Sequence, residues 1–321
     1  MTRVHGLFAA IALAGLSACA TAPADRSALI APYTTELAQT AEPFPFPYTA
    51  VHRHGGRKLG FVAATHTVDP ASPTMQAIRE AFDHVQPAAV IIEGFPTEMG
   101  ENPDVIVDIV SGGEQPDADP YARGEAAYAA RLAMNAGVPF VGGEPTEAEQ
   151  TRALMAQGYD ARDIFFTDIL KVLPQSIRGG EVSGPDDPRF PGVFNRWTVS
   201  LAIEREDAPK ITLADFERWY LAQYGVDYRV DARFVDRADP SAETLVGRIL
   251  RSQSLIRDRH LYRAIMNTLK RRGRVLVVYG GSHRTALAGA LSASLGPAEL
   301  KLSPAAAPLG TIAAGVVAPG K

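Results

Sequence analysis

The feature that most constrains this chain is a short apolar run at residues 274–279, which ends in the pair Gly280–Gly281. The run is rich in β-branched residues, and polar residues do not alternate with the apolar ones. Such a run predicts a strand buried on both faces, as in a parallel sheet with helices above and below it. The strand should deliver Ser282 and His283 to its carboxyl end, where open α/β sheets keep their ligand sites.

Three further apolar runs end in the same way, with polar residues soon after the last apolar one. They are Leu59–Ala64, followed by Thr65 and His66; Ala88–Ile92, followed by Glu93; and Pro139–Val141, followed after two glycines by Glu144. Segments with helical spacing separate the runs, and Ser72–Pro73 is a helix-start signal between the first two. The alternation predicts an α/β fold with a mostly parallel central sheet and helices on both faces.

The composition is that of a soluble globular protein: 321 residues, 46% hydrophobic and 21% charged. The formal net charge is −4 and the basic residues are scattered along the sequence, which argues against nucleic acid as a partner. Residues 46–300 should form one domain, and Gly, Pro and aromatic residues at about 174–240 predict an inserted, partly helical lobe. Residues 301–321 are rich in Ala, Gly and Pro and are expected to be a disordered tail.

The first residues have the features of a secretory signal, with Arg3 followed by the apolar core Leu7–Leu16. Leu16-Ser17-Ala18-Cys19 resembles the bacterial lipobox, which implies removal of residues 1–18 and a lipid on Cys19 that anchors the chain to a membrane. The alternative is an ordinary signal peptide that contains a cysteine. Since Cys19 is the one cysteine of the chain, no disulfide can form within it.

Residues 19–45 would then be a tether between the lipid and the domain, with prolines near its end. Ala20 is not the acidic residue that usually retains lipoproteins in the inner membrane. By this resemblance we expect an outer-membrane lipoprotein that faces the periplasm.

The polar residues at the four strand ends should lie close together, because the carboxyl ends of parallel strands meet at one edge of a sheet. They are His66, Glu93, Glu144 and His283. Imidazole and carboxylate are ligands of Zn, Mn, Co and Fe, so the set predicts a divalent metal site. A metal there could activate water for hydrolysis, and a remaining carboxylate or His could act as general base. Glu144 could instead favour the start of the next helix by its charge.

The helix expected before the last strand, from Ser241 to Arg272, carries a charged pair. Asp258 interrupts its apolar stripe and Arg257 flanks Asp258. Because a buried charge requires a partner, Arg257 could form a structural ion pair with Asp258 or Glu93, or could orient a substrate oxyanion or a catalytic carboxylate. His52 and His54 are expected at the surface, and Tyr279 in the core.

These motifs resemble the TraB/GumN, Tiki and ChaN-like/erythromycin-esterase-like superfamily, in which paired Gly-x-x-His segments and acidic residues face each other across a duplicated α/β core. Gly280–His283 fits the second segment, Glu93 and Glu144 fit the acidic positions, and Arg257–Asp258 fits the helical charged pair. The first segment departs from the pattern, because Ala63 stands where Gly is usual.

The resemblance implies a metal-dependent hydrolase of peptide or ester bonds. His66, Glu93, Glu144 and His283 would be metal ligands, and Glu93, Arg257 and Asp258 would take catalytic roles; Mn, Co and Zn are not distinguished. One alternative is a ChaN-like lipoprotein that binds haem in iron uptake. Another is a non-catalytic envelope protein that binds a partner through the lobe.

Overall fold

The computed structural model, which describes residues 25–34, 37, 46–111, 124–203, 205 and 208–302, has an α/β fold. Within these residues lie a six-stranded mixed sheet and nine fully described α-helices. The strands are β1 (Tyr48–His54), β2 (Arg57–Ala64), β3 (Ala89–Pro96), β4 (Phe140–Glu144), β5 (Arg274–Gly280) and β6 (Glu299–Leu302). The helices are α1 (Pro73–Val85), α2 (Asp104–Ser111), α3 (Gly124–Asn135), α4 (Glu147–Ala156), α5 (Ala161–Arg178), α6 (Phe190–Ile203), α7 (Leu213–Tyr224), α8 (Leu245–Arg272) and α9 (Gly281–Leu295).

The strand order is β4-β3-β5-β2-β1-β6, and the four strands from β4 to β2 are parallel to their neighbours. The expectation of a mostly parallel sheet is therefore confirmed. The sequence did not predict β1 and β6, which add antiparallel strands at the β2 side of the sheet. The carboxyl ends of the four parallel strands share one edge.

Strand β5 lies at the centre of the sheet and has both faces buried. Val275, Val277 and Tyr279 pack against α8 and α9 on one face. Leu276 and Val278 pack with α1 and α3 on the other. This period of two is the reason that the apolar run has no polar alternation, because both faces of the strand meet a hydrophobic layer.

Helix starts fix the side chains that follow the strands. Thr146 caps α4 in a capping box with Glu149. Helix α9 begins at Gly281, so His283 lies in its first turn. The Phe46 ring occupies the space in which a Cβ on Gly281 would lie, so a side chain there would displace the ring. Thr244, and not Ser241, caps α8.

A separate hydrophobic cluster lies among α5, α6, α7 and the start of α8 and is dominated by aromatic residues. Its buried aromatic members are Phe165, Phe166, Phe190, Phe194, Phe216, Trp219, Tyr220, Tyr228 and Phe234. The cluster begins before residue 174, where the pattern was predicted to change. The reason is that α5, which continues through Pro174 to Arg178, contributes Phe165 and Phe166 to the cluster. These helices therefore have a core of their own beside the sheet.

The expectation that His52 lies at the surface is wrong. His52 is 1% exposed, because β1 places it under the chain near Gly296, whose carbonyl accepts a hydrogen bond from His52 Nδ1 at 2.8 Å. Residues 25–34, expected within a tether, contact the domain: Ile30 joins the core between the sheet and α9. An apolar side chain such as that of Ile30 gains stability from this burial.

The signal peptide predicted at residues 1–18, the predicted lipidation site Cys19 and the part of the predicted tail beyond Leu302 lie outside the described residues. Strand β6 extends two residues into the segment expected to be the tail. Across the described helices, none has an apolar stretch long enough to cross a bilayer.

Candidate functional site

The four residues expected at the strand ends all lie along the carboxyl edge of the sheet. His66 follows β2, Glu93 lies within β3, Glu144 is the last residue of β4, and His283 is in the first turn of α9. Glu93 joins two of these ends, because its Oε2 accepts a hydrogen bond from the Gly280 amide at 2.7 Å. The arrangement follows from the parallel order β4-β3-β5-β2.

His283 forms a dyad with Asp258, which we call the buried dyad. Its Nδ1 donates to Asp258 Oδ1 at 2.5 Å, and Asp258 is 0% exposed. Ser254 donates to the other Asp258 oxygen at 3.2 Å. The Nε2 of His283 lies 3.5 Å from Glu93 Oε1. Burial opposes protonation of His283, but its bonds to Asp258 and Glu93 outweigh that effect and raise the pKa to about 9.

His66 forms a second dyad with Glu125, which we call the exposed dyad. His66 Nδ1 bonds to Glu125 Oε1, and the Thr67 amide donates to Oε2 at 3.2 Å. The side chain of His66 is 71% exposed, whereas that of Glu125 is buried. The bond to Glu125 raises the pKa of His66 against the opposing effect of burial. Each histidine thus has Nδ1 on a carboxylate and Nε2 left for another partner.

The free nitrogen of His66 lies beside Glu93. A Cβ placed on Gly280 would lie 3.5 Å from His66 Nε2 and 3.4 Å from Glu93 Oε2, so the two atoms flank the same small space. Because His283 Nε2 approaches the other Glu93 oxygen, three of the four predicted ligands surround one region. Glycine at position 280 keeps this region open.

Arg257 connects Glu93 with the fourth predicted ligand, Glu144. Its Nε and Nη2 donate to the two Glu144 oxygens at 2.8 and 2.6 Å, and Nη2 lies 3.3 Å from Glu93 Oε1. The bidentate pair with Glu144 is the stronger contact. Of the two ion pairs considered from the sequence, that with Glu93 is present, but the main partner of Arg257 is Glu144.

Both carboxylates are held in the ionised form. Burial alone would raise the pKa of Glu93, but its contacts with His283 and Arg257 reverse this effect and lower the pKa to about 2. Burial likewise opposes ionisation of Glu144, and Arg257 lowers its pKa below the usual value. The edge therefore holds a fixed pattern of charge at neutral pH.

An open cavity of about 460 Å³ reaches this network from the side of α4 and α5. Glu144 and Arg257 form its inner wall, and Glu98, Glu147 and Lys171 lie around it. A molecule of moderate size could approach Arg257 through this opening.

The four predicted ligands are of the types that bind metal, but their side chains do not converge on one point. Among the described residues, no group of three or more His, Cys, Asp or Glu side chains is close enough to hold a metal ion. Arg257 bonds to oxygens of Glu93 and Glu144, and His283 Nε2 lies against Glu93 Oε1. His66, Glu93 and His283 could hold a metal only after moving toward one another.

Sequence reasoning missed Glu125. It lies in the first turn of α3, an alanine-rich helix, and its acid group is buried against His66. The available signal was that Glu125 is the single acidic residue of this helix. Tyr279 is buried as expected, and its ring edge faces His283 with the centroids 5.3 Å apart.

No family model, curated protein or solved structure matches this chain. What the chain does must therefore be inferred from the residues at the strand ends.

Proposed function

We propose that this chain is a metal-dependent hydrolase of peptide or ester bonds whose centre is formed by His66, Glu93 and His283. One observation carries the proposal: two histidines, each with Nδ1 on a buried carboxylate, present Nε2 to the space around a third carboxylate. Metal-binding histidines almost always use the second nitrogen in this way, because the outer carboxylate fixes the tautomer and increases the basicity of the ligand.

The residues have separate tasks in this proposal. Asp258 and Glu125 orient the two imidazoles. Glu93, with a pKa of about 2, is a weak base, so it serves better as an anionic ligand than as the proton acceptor. A bound divalent ion would lower the pKa of a water molecule toward neutrality.

Arg257 faces the cavity and holds Glu93 and Glu144 in place. A guanidinium at the wall of the cavity is suited to stabilise negative charge that develops on a substrate carbonyl oxygen. Glu144, expected from the sequence to be a ligand, acts through Arg257 in this arrangement. It would orient the cation and balance its charge.

The class of bond follows from the resemblance to the TraB/GumN, Tiki and ChaN-like/erythromycin-esterase-like superfamily. The duplicated core and the inserted lobe belong to the same proposal, and the aromatic cluster of α5, α6 and α7 is the candidate for the lobe. The lipid anchor on Cys19 would hold the hydrolase at the outer membrane, facing the periplasm.

Metal analysis tests the proposal directly. The chain from Cys19 onward, carrying Cys19→Ser, is loaded with Mn, Co or Zn in turn, dialysed and measured by mass spectrometry for metal content. We expect about one equivalent for at least one metal, with hydrolysis of a peptide or ester substrate appearing only in the loaded protein. His66→Gln and His283→Gln should each lose the metal, whereas His54→Gln, at an exposed histidine, should keep it.

Circular dichroism establishes that each variant is folded before its metal content is compared. Equal metal content in the wild type and both dyad variants would refute the site. A Soret band that forms on addition of haem, in protein that takes up no divalent metal, would replace hydrolysis by haem binding. If the protein shows neither metal uptake nor a Soret band, the remaining candidate is a non-catalytic binding protein.

A further inference from the structure

Helix α8 gathers positive charge on its outer side, although the chain as a whole has a net charge of −4. Its single acidic residue is Asp258, which is buried. Its basic residues are Arg248, Arg251, Arg257, Arg259, Arg263, Lys270, Arg271 and Arg272. In sequence these residues are dispersed, and the helix brings several of them to one surface.

Three of the basic residues form what we call the α8 stripe: Arg259, Arg263 and Lys270. With Asn267 they follow the spacing of one helix face, and all four are exposed. The opposite face, with Leu261, Tyr262, Ile265 and Leu269, is buried against the sheet. The stripe is therefore directed away from the core.

Ion pairs within the domain do not neutralise the stripe. In the described part of the chain, the pairs made by the basic residues of α8 are those of Arg251 with Glu243, Arg257 with Glu93 and Glu144, and Arg272 with Glu101. A helix needs cations only near its last turn to balance its dipole. Arg259 and Arg263 lie two to three turns before that point, so the dipole does not account for them.

The N-terminal segment meets the domain at the same surface. Asp25, Arg57, Arg263 and Lys270 line a cavity of about 280 Å³, and the Arg26 amide donates to the Tyr262 hydroxyl at 3.2 Å. Five residues lie between Cys19 and Asp25, so six Cα-to-Cα steps connect them. At about 3.5 Å per residue, even an extended chain of that length spans only about 20 Å.

We propose that the α8 stripe is the surface by which this domain lies on an anionic phospholipid membrane. The inference rests on the lipid anchor proposed for Cys19, which would hold the stripe within about 20 Å of the headgroups. Basic residues adjoining a membrane anchor strengthen attachment to anionic lipids, and their attraction falls off within a Debye length of the surface. The short connection allows the stripe to come within that range.

This arrangement also orients the candidate site. Arg257 and Asp258 project from α8 toward the sheet edge, whereas Arg259 and Arg263 project outward from the next turn. With the stripe on the membrane, the carboxyl edge of the sheet stays accessible from the side. The same helix would thus serve the site on one face and the membrane on the other.

Vesicle binding separates the stripe from the anchor. The chain from Cys19 onward, carrying Cys19→Ser and therefore without lipid, is sedimented with vesicles of phosphatidylcholine alone or of phosphatidylcholine and phosphatidylglycerol in equal parts. We expect binding only to the anionic vesicles, and less of it at high salt. Replacement of Arg259, Arg263 and Lys270 by Gln should weaken the binding by about tenfold or more.

The matched control replaces Arg79, Arg152 and Arg178 by Gln, which removes the same charge from exposed positions on α1, α4 and α5. We expect a change of less than about twofold for the control, since these positions lie outside the proposed contact. Equal weakening in the two triple variants would reduce the effect to net charge and overturn the proposal. Equal binding to vesicles with and without phosphatidylglycerol would also overturn the proposal, and would leave an acidic protein as the partner to examine.

A fluorescent label gives a second measurement that does not depend on affinity. Cys19→Ser leaves the chain without cysteine, so Asn267→Cys places a single environment-sensitive label within the stripe. Its emission should shift to shorter wavelength on anionic vesicles, whereas a label at Glu80→Cys on α1 should not shift. The reverse pattern would assign the contact to another face. Metal content is not involved, so failure here and failure of the hydrolase proposal are distinguishable.

Discussion

Two buried histidines, His283 at the candidate site and His52 in the antiparallel strand β1, occupy regions of similar burial but opposite electrostatic character. His283 bonds to Asp258 and faces Glu93, and its pKa is raised to about 9. His52 donates to the Gly296 carbonyl, its Nε2 has no hydrogen-bond partner among the described residues, and burial lowers its pKa to about 4. Burial acts against protonation in both cases, so the carboxylate partners decide the charge of the ring.

The comparison separates two uses of histidine. A buried imidazole without an acid partner, such as His52, is a neutral packing residue with one donor satisfied. A buried imidazole between two carboxylates holds a proton and can exchange it for a metal ion. Position on a strand end made His283 a candidate, but the contacts with Asp258 and Glu93 are what distinguish it from His52.

The largest loss of stability is expected for Asp258→Ala. The change leaves the charged form of His283 without its main acceptor in a buried place, and breaking such a pair typically costs about 3–5 kcal/mol. Urea unfolding of the metal-free protein at neutral pH measures the loss. Asp258→Asn, which keeps an acceptor oxygen for Nδ1, should lose less. A loss below about 1 kcal/mol for Asp258→Ala would mean that the pair contributes no more than an exposed one.

A smaller loss of stability is expected on acidification. It arises at His52, where burial disfavours the protonated ring. The unfolded chain binds a proton below its usual pKa of 6.5, whereas folded His52 stays neutral until about pH 4. Above pH 6.5 both states are neutral and nothing is lost. Between pH 6.5 and 4 the folded state loses up to about 3 kcal/mol.

The measurement compares the free energy of unfolding at pH 7 and pH 4.5 in the wild type and in His52→Gln. The substitution should flatten the dependence, because it removes the titrating ring and can retain a donor for the Gly296 carbonyl. His54→Gln, at an exposed position on the same strand, should retain the wild-type slope. Identical slopes for wild type and His52→Gln would contradict the assignment.

The smallest effect on stability is expected at the exposed dyad. Since His66 is largely solvated, loss of its ion pair through Glu125→Ala should cost only about 1 kcal/mol. The same variant should nevertheless bind metal more weakly by about tenfold or more, because Glu125 fixes the His66 ring. Thermal unfolding and metal titration give the two values. A loss comparable to that of Asp258→Ala would erase the distinction between the dyads.

Much of the fold could be predicted because each parallel strand is specified by a local run of apolar residues. The run from Val275 to Val278 identifies β5, and Thr146 with Glu149 identifies the start of α4. Strand β1 was not predicted, since His52 and Arg53 give it a polar appearance, although His52 is buried. Gly55–Gly56 between β1 and β2 is a turn signal that could have suggested the hairpin.

The site could be predicted only in part. Topology alone brings His66, Glu93, Glu144 and His283 to one edge. The pairing of Arg257 with Glu144 depends on how α8 crosses the sheet, which no local pattern specifies; the adjacent residues Arg257 and Asp258 find different partners there, Glu144 and His283. Glu125 becomes a partner of His66 only through the packing of α3 beside β3.

The hydrogen bond from the Gly280 amide to Glu93 gives the protein a spectroscopic reporter. Any occupant that binds both oxygens of Glu93 competes with that amide for electron density on Oε2, so a backbone nitrogen changes its environment without itself touching the occupant. The nitrogen-15 resonance of Gly280, and the rate at which its proton exchanges with solvent, would thus record occupancy of the site from within the main chain.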